Sequence, residues 1–181
     1  FGPEKLKSYE LGLKTTWLDR RLRLNVAAFT SDYSGIQLEI NDCGNGGPFV
    51  FCIAQANVGS ARIKGLEGEL TAQPLDGLTF DASASYLDFG YKSVNVATGV
   101  QLGMAAPLTP KWKWSVGAQY EADLGDMGTL TPRIDASYQS ATYFAAVNLP
   151  SNRVAGYTIW NGRLTYRAPD KKWEAALEVT N

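Results

Sequence analysis

The sequence predicts an all-β chain, an antiparallel up-and-down transmembrane β-barrel sheet of about eight strands. Three observations predict it. Apolar and polar residues alternate one by one through segment after segment, the connections alternate between short and long, and aromatic residues gather toward segment ends on the apolar parity.

The alternation is clearest in "KWKWSVGAQYEADLG", Lys111 to Gly125, where Trp112, Trp114, Val116, Ala118, Tyr120 and Ala122 oppose Lys111, Lys113, Ser115, Gly117, Gln119, Glu121 and Asp123. Successive side chains of a strand point to opposite faces, so one surface is apolar and the other wet. Lys7 to Leu18 sets Tyr9, Leu11, Leu13, Thr15 and Trp17 against Glu10, Gly12, Lys14 and Thr16, and Asp19-Arg20-Arg21 turns the chain. Leu22 to about Asn41 starts with Leu24, Val26 and Ala28 against Arg23, Asn25 and Ala27; its parity blurs from Phe29 to Tyr33, which predicts a bulge or a change of environment there. Ala54 to Gln73 sets Leu66, Leu70 and Ala72 against Glu67, Glu69 and Thr71, before a Pro74-Leu75-Asp76-Gly77 turn. Leu78 to about Lys92 follows, with Leu78, Phe80, Ala82, Ala84 and Tyr86 on one face. Beyond Lys111 to Gly125, the segments Thr129 to Tyr143, Tyr157 to Ala168 and the one opening at Trp173 complete the set.

Tight turns near residues 19, 75, 126 and 170 fall at one end of the sheet, and long loops at roughly 42 to 53, 93 to 110 and 144 to 156 fall at the other. A meander of hairpins in a membrane has this asymmetry; a Greek-key sandwich has no reason to. Tyr9, Trp17, Tyr86, Trp112, Tyr120, Tyr138, Tyr166 and Trp173 form the expected lipid-facing girdle, with aliphatic residues between. The soluble sandwich is the alternative, but Ala82, Ala84, Ala118, Ala136 and Ala175 would fill its core thinly. Lys14, Glu67, Glu69, Lys111, Lys113, Glu121, Arg133, Asp135 and Arg163 then face the lumen.

Composition narrows the chemistry. A net charge of -1 gives no reason to expect nucleic acid, and the absence of histidine removes the usual general base and the commonest metal ligand. Catalysis, a metal site and a cofactor are therefore not expected. The mean hydropathy of -0.18 is compatible with a barrel, which hides its apolar surface in alternate positions. Phe1-Gly2-Pro3 has no signal-peptide character, so the start is expected to be internal.

The stretch "PEKLKSYELGLKTTWLDRRLRLNVAAFTSDYSGIQ" resembles a recurrent two-strand segment of TonB-dependent outer-membrane receptors, within the C-terminal part of their β-barrel. "NVGSARIKGLEGEL", "TPKWKWSVGAQY", "GYTIWNGRLTYR" and "WEAALEVTN" are similar to later strands of that family, in order. The resemblance implies a bacterial outer-membrane location and a barrel of about 22 strands around a plug. It also implies energy-coupled uptake of a scarce nutrient such as a ferric siderophore. Residues 1–181 are then expected to be one part of that barrel domain, with the plug, first strands and closing strand lying outside them. The implied partners are outer-membrane lipid, the plug and through it the TonB energy-transducing complex, and a small-molecule ligand such as a metal chelate. A non-transporting barrel, either passive porin or membrane anchor, is the alternative.

Cys43 and Cys52 bracket a Gly-rich loop placed outside the cell, where oxidising conditions favour a disulfide; two free thiols are the alternative. "GNGGP" lacks the Lys-Ser or Lys-Thr of a phosphate loop, and Glu67 with Glu69 reads as lumen lining before it reads as a glycosidase pair. Phe49, Phe51, Tyr143 and Phe144 are candidate loop contacts for a ligand, whose identity the strands do not specify.

Overall fold

The computed structural model describes residues 1–41 and 53–181. Cys43, Cys52, Phe49 and Phe51 lie outside the described residues. The strands are β1 Lys5–Trp17, β2 Leu22–Asn41, β3 Ile53–Leu75, β4 Leu78–Val94, β5 Trp112–Tyr120, β6 Ala122–Asp123, β7 Thr129–Gln139, β8 Thr142–Tyr143, β9 Arg153–Val154, β10 Tyr157–Arg167 and β11 Glu174–Thr180. One antiparallel sheet runs β1-β2-β3-β4-β5-β7-β10-β11, with β6 beside β7, so sequence neighbours are spatial neighbours throughout. The meander is as expected. Among the described residues β1 and β11 do not pair with each other, and the sheet is open.

The short turns share one rim. Leu18, Asp19 and Arg20 take positive φ between β1 and β2, and Asp76-Gly77 joins β3 to β4. Arg21 bridges these neighbouring turns, its Nη2 donating to Asp76 Oδ1 at 2.9 Å. A single 3-10 turn, Gly125–Met127, precedes β7, and Pro169 opens the last hairpin connection.

Register aligns the apolar parity into rows that cross the sheet. Thr15, Leu24, Leu70, Ala82, Val116, Ala136 and Trp160 form one, and Leu13, Val26, Gly68, Ala84, Trp114 and Tyr138 the next. Among the described residues no second layer covers this outer face: Leu66 is 58 % exposed, Val116 46 % and Trp160 55 %, although all three sit on interior strands. An apolar surface that wide, on strands that are fully paired, is what hydrocarbon accepts and water does not. It also excludes the sandwich alternative. Among the described residues no helix is long and apolar enough to cross a membrane, as a barrel wall requires none.

The packed core sits at the long-loop rim. Gly35 takes φ 67 where the β2–β3 ladder slips between Ser34 and Ile36, a bulge that returns Ile36, Leu38 and Ile40 to the face of Tyr33. There Ile36, Ile40, Val58, Ala61, Tyr91, Val100 and Ala146 pack together, with Val58 and Val100 fully buried. From Phe29 to Tyr33 the β2 ladders are unbroken, so the blurred parity there comes from a change of environment, and the bulge lies just beyond it at Gly35. On β4, Ser83 and Ser85 share a face with Leu87, Phe89 and Tyr91, so the inner face changes from polar to apolar toward the loops.

Two loops fold onto that apolar mouth. Residues 95–111 are tied to 140–156 through Asn148, whose Oδ1 accepts from Ala105 N at 2.6 Å, and through Leu108 N donating to Tyr143 O at 2.7 Å. The segment expected as strand through Tyr143 ends at Gln139. Thr142–Tyr143 leaves the sheet to pair with Arg153–Val154, because its hydrogen bonds are taken by the loop hairpin.

Candidate functional site: the polar inner face

Opposite the apolar rows lies a second set made of charge and hydroxyl. One row runs Lys14, Asn25, Glu69, Ser83, Ser115, Ser137 and Ile159; its neighbour runs Ala27, Glu67, Ser85, Lys113, Gln139 and Tyr157. Asn25 Nδ2 donates to Glu69 Oε2 at 3.2 Å, and the Ser83 and Ser115 hydroxyls meet at 2.8 Å. Glu67, Glu69, Lys113, Gln139 and Tyr157 border a hollow of about 460 Å³ on this face. Polar side chains in such a number keep this surface wetted or matched to a polar partner, since none could be left bare in hydrocarbon.

Nearer the turn rim the face is knitted by Arg133. Its Nη1 donates to Asp81 Oδ1 at 3.0 Å and to Gln119 Oε1 at 3.3 Å, and its Nε donates to Asp135 Oδ2 at 2.9 Å. Asp81 stands on β4 and Arg133 on β7, with β5 between them, and Gly117 is the β5 residue beneath the guanidinium. A Cβ at Gly117 would overlap Arg133, Asp81 and Asp135 together, so glycine is what lets the cluster form. Farther along, Arg163 is paired with Glu178 and Arg167 with Glu174 at 3.1 Å.

Register therefore puts Lys14, Glu67, Glu69, Lys113, Arg133, Asp135 and Arg163 on the polar face. Glu121 stands at the turn rim, beside Asp123 and Arg167. Lys111 departs from the expectation. β5 begins at Trp112, so strand alternation does not extend to Lys111, and its Nζ lies 5.3 Å over the Tyr86 ring and 3.9 Å from Asp88, on the outer face. The pairs Tyr86 with Trp112 at 4.6 Å and Tyr166 with Trp173 at 5.3 Å between centroids occupy opposite rims of the outer face. Trp114 stacks on Tyr138 at 5.6 Å, and Tyr9, Trp17 and Tyr120 lie on the same parity.

Asp81, Gln119 and Tyr157 belong to the inner face although the lumen set did not include them. Their parity was visible in the sequence; what made Asp81 part of an Arg133 cluster is cross-strand register, which alternation does not encode. Of the candidate loop aromatics that are described, Tyr143 anchors the β8–β9 hairpin and Phe144 is 59 % exposed at the mouth. Among the described residues no group of three or more acidic or cysteine side chains could hold a metal ion.

This architecture has close counterparts. The family model for the TonB dependent receptor-like beta-barrel matches residues 1–181. The ferric-pyoverdine M114 receptor PbuA of Pseudomonas sp. (strain M114) is 27 % identical over 177 residues, covering 97 % of this chain and 20 % of the receptor. Among solved structures, the ferric yersiniabactin uptake receptor FyuA from Yersinia pestis superposes with a TM-score of 0.76 at 20 % identity, over 98 % of this chain and 24 % of that one. The pyoverdine outer membrane receptor FpvA from Pseudomonas aeruginosa PAO1 gives 0.68 at 22 % identity, over 99 % and 25 %. The chain thus spans between a fifth and a quarter of the length of these relatives. With apolar rows outward, polar rows inward and a family match along its entire length, the chain belongs to the TonB dependent receptor-like β-barrel family.

Proposed function

We propose that residues 1–181 form part of the barrel wall of a receptor that takes up a ferric siderophore across the bacterial outer membrane, driven by the TonB complex. The family match from end to end carries this reading, and the name of the relative PbuA, a ferric-pyoverdine receptor, supports the substrate class. In this reading the open sheet is completed by further strands of the same barrel domain, about 22 in all. The polar inner face then packs, through water and ion pairs, against a plug that relays the pull of TonB. The apolar mouth of Leu38, Phe89 and Tyr91 suits the organic periphery of a chelate, whose polar atoms are turned toward the metal. The protein is read as a receptor and transporter, with no reaction of its own.

Deletion of the encoding gene, followed by growth under iron limitation and uptake of radiolabelled ferric siderophores, tests this. Expected is loss of uptake of one chelate class, restored by the full-length gene only in cells with a working TonB. Uptake that persists without TonB would instead identify a passive pore.

A further inference from the structure

Two strands outrun their neighbours at the long-loop rim. The ladder between β1 and β2 stops at Lys5 with Ser34, and the ladder between β3 and β4 stops at Gly59 with Val94. Among the described residues the sheet continues beyond those points only as 36–41 paired with 53–58, a two-stranded arm. Such a ribbon is marginal when it stands alone. Its inner side is held by Ile36, Ile40 and Val58, which pack against Tyr91 of β4 and against Val100 and Ala146 of the folded-in loops. Its base is held differently, by side chains that take over where the β1–β2 ladder ends.

Asn57 on β3 reaches past β2 to the chain that enters β1. Its Oδ1 accepts from Gly2 N and its Nδ2 donates to Gly2 O at 3.1 Å, so the side-chain amide pairs both polar groups of Gly2 as a strand's peptide would. The same Nδ2 donates to Gly35 O at 2.6 Å, at the bulge. Gln37 lies opposite Asn57 in the β2–β3 ladder. It donates from Nε2 to Gly2 O at 2.9 Å and from its backbone N to Glu4 Oε1 at 2.6 Å. A Cβ at Gly35 would stand 2.6 Å from Pro3 O, so glycine is what lets the three segments close up.

We propose that Asn57, Gln37 and Glu4 form an interlock that makes the arm and the chain entering β1 one moving body at the mouth. Residues 1–4 and β3 have β2 between them, so sheet pairing alone gives no reason for one to follow the other. The side-chain bonds supply it. Glu4 closes the bracket on the inner side, where its carboxylate lies by the hydroxyl of Tyr33, whose ring packs against the mouth core. A displacement of Ile36 or Leu38 at the mouth is thereby carried through Gln37 and Asn57 to the connection before β1. Because the bonds converge on one short segment, they form and break together.

The test uses the full-length product of the gene, purified in detergent, with hydrogen exchange resolved to single amides. Asn57→Ala is expected to speed exchange of the Gln37 amide about tenfold, although its acceptor Glu4 is untouched; tenfold is the loss of one to two net hydrogen bonds on local opening. Glu4→Ala is expected to speed the Gly2 amide by about the same factor, although its acceptor Asn57 is untouched. Gln37→Ala, which removes one donor from Gly2 O, is expected to speed both about threefold, whereas Lys171→Gln at the opposite rim changes neither. Unaltered heat-modifiable migration on gels verifies that each variant is folded; should Asn57→Ala fail it, the exposed Glu4 carries the test together with Gln37→Ala. The proposal is overturned if each variant frees only the amide whose acceptor it removes, since the bonds would then be independent. No ligand enters the measurement, so a wild type that imports no chelate refutes the receptor reading and leaves the interlock standing.

Discussion

Arg133 on β7 binds Asp81 on β4 across the whole width of β5, Nη1 to Oδ1 at 3.0 Å, by lying over Gly117. The contact makes three strands one electrostatic unit, and it depends on a hydrogen atom where every other residue has a side chain. Gly117→Ala is therefore expected to push the guanidinium off both carboxylates. The side chains are partly solvated, so the loss is about 1 to 2 kcal/mol and no more. Urea unfolding of the receptor in detergent measures it; an unchanged midpoint would show that the cluster contributes nothing.

Neighbouring residues on β5 give a sharper contrast. Val116 lies in the middle apolar row and Ser115 on the polar face. Val116→Arg is expected to cost about 2 to 4 kcal/mol of folding into bilayers, while Ser115→Arg costs little. Folding yields into lipid vesicles at graded urea concentrations compare the two. Similar penalties would mean that the faces have been assigned backwards.

All five tryptophans bear on the same question, since Trp17, Trp112, Trp114, Trp160 and Trp173 share the outer side. Replacing Trp112 with Phe is expected to remove a component of fluorescence that brominated lipid quenches and aqueous iodide does not. A component quenched by iodide alone would place the ring in the lumen.

At the mouth, Val58 has no exposed surface and is packed among Ile36, Tyr91 and Val100. Val58→Ala is expected to cost about 2 kcal/mol, spent locally in loosening the folded-in loops. Protease added to intact cells should then cut within residues 95–111 while the strands stay protected. Cleavage spread into β3 and β4 would show that mouth and wall unfold as one.

Alternation disclosed the strands because a two-residue period survives in any ribbon with unlike faces, and Leu78–Val94 or Tyr157–Arg167 could be located from it within two residues. It failed where the faces exchange character. Leu87, Phe89 and Tyr91 sit on the polar parity because the folded-in loops cover the inner face there, and Arg62 and Lys64 on the apolar one because the solvent outside changes from hydrocarbon to water along a single strand. Lys111 was misassigned for a related reason: alternation holds only inside a ladder, and the ladder starts one residue later. The Arg133 cluster and the docking of 95–111 on 140–156 depend on register and on loop contacts, neither of which a single strand's pattern contains.

Among the described residues β1 and β11 each show the surroundings one side without a partner. These residues are a stave and not a cask: thirteen residues of β1 alone present a rank of amide groups that oil would punish one by one. Made in isolation, the stave would be expected to zip onto its own copies in water before any bilayer could admit it, so both flanks have to be met by neighbours before the lipid closes round it.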